Sequence, residues 1–79
     1  MKNSLNSPVR ITAIGFDTAM RSYPTRMEWQ GKTYHFISHG LWLNVLRGDR
    51  QTRTVTCSDG QQEFCLRQMG HEWTLVALG

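Results

Sequence analysis

The sequence is poor in the features that announce a particular chemistry. Its 79 residues hold two cysteines and two prolines, with no internal repeat and no low-complexity tract. No apolar run approaches the roughly 20 residues of a membrane-spanning helix. The leading MKNSLNSPVR lacks the apolar centre of a signal peptide. A soluble cytoplasmic protein with no membrane partner is therefore expected. Phosphate-cradling glycine loops, nucleophile elbows and paired-carboxylate patterns are all missing. Ser38 adjoins His39, but neighbours on a strand point to opposite faces and cannot share a proton. The expectation is a protein that is not an enzyme and carries no cofactor.

Metal binding is disfavoured by spacing. Zinc needs four ligands about 2.0 to 2.3 Å from one point, and among His35, His39, Cys57, Cys65 and His71 only HFISH has a ligand-like spacing. On a strand, His35 and His39 stand roughly 13 Å apart at about 3.3 Å per residue. No metal site is expected.

What the chain does have is a supply of apolar and aromatic residues: 39% hydrophobic, with three Trp, three Phe and two Tyr. That suffices for one small core and not for two. Residues 1–7 are expected to form a flexible tail and residues 8–79 a single all-β domain. After Pro8, Val9, Ile11 and Ala13 alternate with Arg10, Thr12 and Ile14, which reads as a strand. In RMEWQGKTYHF, a tight turn at Gln30 and Gly31 sets Trp29 opposite Lys32, Met27 opposite Tyr34 and Thr25 opposite Phe36. Met27, Trp29, Tyr34 and Phe36 then face the core, leaving Arg26, Lys32 and His35 as a secondary polar surface.

Residues 41–46 satisfy both strand and helix periodicities, and Gly40 and Asn44 favour a bent strand. Residues 47–53 read as an Arg-rich loop. In TVTCSDGQQEFCLR, Asp59 and Gly60 form a turn pair, which sets Val55 opposite Phe64 and Cys57 opposite Gln62. Cys57 then faces the apolar side and Cys65 the other, too far apart in direction for a disulfide. Two free thiols are expected. A turn near Gly70 leads to a last strand with Trp73, Leu75 and Ala77 on the core face. The fold class is all-β: a small antiparallel curled sheet or partly open barrel of five to six strands, SH3-like in size.

Nine basic against six acidic residues give a net charge of +3, a mild lean towards anionic partners. Arg47, Arg50 and Arg53 place three guanidinium groups within seven residues, suited to nucleic-acid phosphate or another anion. The tripeptide at Arg47 to Asp49 matches an integrin-binding motif, but without a secretory signal the match reads as chance. Trp42 is the aromatic that the alternation leaves unassigned, and it joins the arginines as a candidate contact. Ile37, Cys65, Val76 and Leu78 make an apolar interface candidate, so the chain is expected to be a monomer or a homodimer.

Taken together, PTRMEWQGKTYHF at 24–36, Trp42, TVTCSDGQQEFCLR at 54–67 and HEWTLVAL resemble a family of small bacterial all-β domains of unknown function. Members occur alone or as C-terminal tails of polymerase-like mutagenesis proteins. The motifs are those of core and turns. After the middle Trp the family carries further aromatic and Arg residues, where this chain has LNVLRGDRQT. The resemblance implies an accessory binding module, linked to DNA repair or mutagenesis through protein or nucleic-acid contacts. The alternative is a homodimeric protein-interaction domain with no nucleic-acid role.

Overall fold

The computed structural model describes residues 3–37, 40–47 and 50–79, with backbone alone for residues 3, 4, 41, 44–47, 50 and 51. Ser38, His39, Gly48 and Asp49, named above, lie outside the described residues. Seven strands run in the order β1 (Asn3–Phe16), β2 (Ser22–Trp29), β3 (Lys32–His35), β4 (Leu41–Arg47), β5 (Arg50–Ser58), β6 (Glu63–Met69) and β7 (Glu72–Leu78). They form one curled antiparallel sheet, β3-β2-β1-β7-β6-β5-β4. The all-β antiparallel class is as expected, but there are seven strands where five to six were expected. The arginine segment is largely strand where a loop was expected: β4 extends to Arg47 and β5 starts at Arg50. Among the described residues no helix is long and apolar enough to cross a membrane.

Residues 3–7 of the expected tail belong instead to β1, which begins at Asn3. Residues 3–9 of β1 pair with β7, from Asn3 opposite Leu78 to Val9 opposite Trp73. Residues 10–16 pair with β2, from Arg10 opposite Glu28 to Phe16 opposite Ser22. One long strand thus joins two smaller sheets at a corner. Pro8 is tolerated inside β1 because only β7 flanks it there, and a proline can occupy a position where one side of the strand is unpaired. Leu5 packs on the core, and Ser7 Oγ accepts a 2.8 Å hydrogen bond from Trp29 Nε1.

The β2–β3 hairpin has the expected register: Trp29 pairs with Lys32 and Met27 with Tyr34. Gln30 and Gly31 both have positive φ, 53° and 77°, the twist that a two-residue hairpin favours. The β5–β6 register differs from expectation by two residues, with Cys57 opposite Phe64 and Val55 opposite Leu66. The reason is the turn. Asp59 Oδ1 accepts 2.9 Å bonds from the amides of Gln61 and Gln62, which stabilises a four-residue loop in place of a two-residue turn. A slip of two keeps every side chain on its expected face. In β6–β7 a bulge at Val76 pairs Cys65 with Ala77 and Phe64 with Leu78. Leu78 therefore packs on the core in place of Ala77.

Met27, Phe36, Val55, Cys57, Phe64, Leu66 and Leu75 form the buried core. The curl is set by aromatic contacts. Tyr34 and Phe64 stand four strands apart in the sheet, about 19 Å on a flat surface at about 4.8 Å per strand. Their ring centroids lie 5.0 Å apart. Phe36 meets the same ring at 5.6 Å. The chain then crosses to the far side of the sheet, where the Ile37 amide donates to the Ser58 carbonyl at 2.9 Å.

Gly40 completes this crossing with φ +81°. A Cβ there would lie 2.5 Å from Val55 Cγ2 and 3.2 Å from the Thr56 carbonyl, whereas one on Gly31 would meet nothing within 4 Å. Gly40→Ala is expected to cost about 2 kcal/mol or more, combining backbone strain with overpacking. Gly31→Ala should cost about 1 kcal/mol, from backbone strain alone. Urea denaturation of the two variants checks the difference, and equal losses would disprove a steric role for Gly40.

Candidate anion-binding site

Arg53, Trp42 and Trp73 meet at one end of the curled sheet. Arg53 lies opposite Asn44 on β4 and Gln68 on β6, and Gln68 lies opposite Trp73 on β7. Trp42 lies opposite Val55, one row nearer the core. On a flat sheet Trp42 and Trp73, three strands apart, would be separated by about 14 Å. Curling brings their ring centroids to 6.3 Å with the planes at 63°. The Arg53 guanidinium carbon sits 4.2 Å from the Trp42 ring centroid. Trp42 is half-buried and packs on the core with Trp73, so its unassigned side is the inner one.

The contact has a chemical consequence. A guanidinium placed over an indole is held by the ring quadrupole and keeps its planar fork of N–H donors. Such a fork suits the paired oxygens of a phosphate or carboxylate. Among the described residues, no carboxylate pairs with Arg53; the ion pair present joins Arg21 to Asp17 at 3.0 Å. Phosphate engagement is therefore the reading this contact favours.

The other candidates are distributed differently. Arg47 and Arg50 are register partners beside the β4–β5 turn, and their side chains lie outside the described residues. Arg50 and Arg53 are three positions apart, an odd spacing that gives them different parity along the strand. Arg26 has a structural partner: Nε donates to Thr12 Oγ1 at 2.8 Å and Nη2 to the Thr12 carbonyl at 3.1 Å. These bonds clasp the shift in register of β1 between Ile11 and Ala13. Arg26 lies opposite His35, whereas Lys32 lies opposite Trp29, so the three do not share a face. Ile37 is exposed in the β3–β4 connection, Cys65 and Val76 are half-buried, and Leu78 is partly buried against the core.

Arg10, not singled out from sequence, lines a cleft of about 270 Å³ with Pro8, Val9, Glu28, Trp29, Gln30 and Gly31. Glu28 is its register partner, and the two charges oppose each other there. Among the described residues no three His, Cys, Asp or Glu side chains converge on a metal position. Both cysteines are free thiols. Burial, with a smaller effect from Cys65, pushes the Cys57 thiol up from 9.0 to about 12.

Two outcomes follow from these contacts. Arg26→Ala should lose about 1 kcal/mol of stability, since the bonds are exposed, and should leave anion affinity unchanged; a fall in affinity would assign Arg26 to the site. For Cys57, the unfolded thiol ionises near 9.0 while the folded one holds its proton to about 12. Its contribution is complete below pH 9 and is lost as pH rises towards 12, with a slope of up to about 1.4 kcal/mol per pH unit. Thermal melts between pH 8 and 11 should therefore decline less steeply for Cys57→Ala than for the parent.

Arg53 and Trp42 were legible in the sequence as an arginine and an unassigned aromatic. Trp73 was not, because alternation accounts for it fully as core. Comparison of the chain with protein-family models, curated proteins and solved structures returns no match.

Proposed function

We propose that the chain is a non-catalytic binding module that engages nucleic-acid phosphates through Arg53, in an accessory role linked to DNA repair or mutagenesis. The observation that carries this reading is the guanidinium held over Trp42, with no carboxylate partner among the described residues. The net charge of +3 favours approach to a polyanion. Arg47 and Arg50 lie on the same hairpin, with Arg50 about 10 Å along the strand from Arg53. The resemblance noted above supports the link to mutagenesis, and gene adjacency to a mutagenesis operon would add to it.

The test is a titration of single- and double-stranded oligonucleotides, followed by amide and indole NMR shifts at two salt concentrations. Shifts are expected at Arg53, Gln68 and the Trp42 and Trp73 indoles, fading steeply as salt rises. Arg53→Ala should lower the magnitude of the logarithmic salt slope by about one. An absence of shifts at low salt would sink the nucleic-acid reading.

A further inference from the structure

The open sheet has two edges, and they differ in chemistry. β3 is four residues long and carries Lys32, Thr33 and His35, all exposed. A short edge bearing a lysine is protected against pairing with other chains. β4 has neither protection. It is seven residues long, LWLNVLR, has no proline, and is uncharged from Leu41 to Leu46. Among the described residues its strand partner is β5 on one side, and no strand flanks the other. Leu43 is 62% exposed on this edge. A long, apolar, unprotected edge is a template for one more strand.

We propose that this edge pairs with the β4 strand of a second copy of the chain, antiparallel about a two-fold axis at Asn44, forming one sheet continuous across two subunits. Self-complementarity is the argument for a copy as the occupant. About this axis Asn44 meets its own counterpart, Leu43 meets the partner's Val45, Trp42 the partner's Leu46 and Leu41 the partner's Arg47. Every apolar position from Leu41 to Leu46 then lies opposite an apolar position or Arg47. The only charge on the strand, Arg47, lies at opposite ends of the pair, roughly 20 Å from its counterpart at about 3.3 Å per residue. Parallel pairing would instead set the two arginines side by side. The two-fold arrangement is isologous and closes at a dimer, which leaves β3 as the protected edge at each end.

This interface does not use Arg53, which lies on β5 one strand in from the edge, although it shares Trp42 and Arg47 with the phosphate-binding reading. The test uses the full chain with Cys57 and Cys65 changed to Ala. Light scattering should give a dimer mass that rises with concentration. Leu43→Lys brings two lysines to diagonal positions across the axis, and should return the mass to monomer with near-ultraviolet dichroism unchanged. Asn44→Cys should form a covalent dimer on mild oxidation, and Leu41→Cys should not, because only position 44 meets itself. A monomer at all concentrations with no Asn44→Cys crosslink would overturn the proposal. A dimer that survives Leu43→Lys would overturn it equally, by placing the contact elsewhere.

Discussion

The fold turns on the ring of Phe64. Tyr34 and Phe36, from the far end of the sheet, reach it at 5.0 and 5.6 Å. No backbone ladder joins β3 to β4 among the described residues, so these contacts and the Ile37–Ser58 bond hold the two ends of the sheet near each other. Burial of large aromatic area, with a tilted ring geometry that suits the quadrupoles, is what opposes flattening. Opening the sheet would return Phe64, Leu66 and Leu75 to water together, since all three are fully buried under this closure.

The long β1 makes the closure geometrically feasible. A single flat sheet of seven strands cannot bring its edges together, but a strand shared between two ladders can change direction between them. The shifts in register near Thr12 lie in the half of β1 that pairs with β2, and Arg26 holds them with two bonds to Thr12. The same curvature explains the candidate site. Trp42 and Trp73 come from strands that a flat sheet would keep apart, and their contact leaves Arg53 stacked above Trp42. A charged group at the rim is thereby oriented by the packing that fills the interior. The site and the core are two consequences of one curl.

Closure without a β3–β4 ladder has a further effect, because among the described residues it leaves two strand edges unpaired. At β3 the chain ends the sheet with a short polar strand, and at β4 with a long apolar one. The asymmetry separates a solvated edge from one whose composition favours another strand.

The sequence by itself determined the local alternation: the all-β class, the β2–β3 register and the face of each cysteine. These follow from a period of two and from turns whose residues select their own backbone angles. Its reading of β5–β6 was two residues out because Asp59 caps a longer loop, and this left the faces intact. Its reading of Leu78 failed because a one-residue bulge inverts parity, and nothing in the side-chain pattern marks Val76 as the extra residue. Residues 3–7 look like a polar tail, yet β7 and Trp29 supply partners that no local signal reveals. Only the tertiary structure decided which arginine is stacked, which is clasped to Thr12, and which aromatics meet. Those outcomes depend on distances across several strands, and curvature sets such distances where sequence spacing does not.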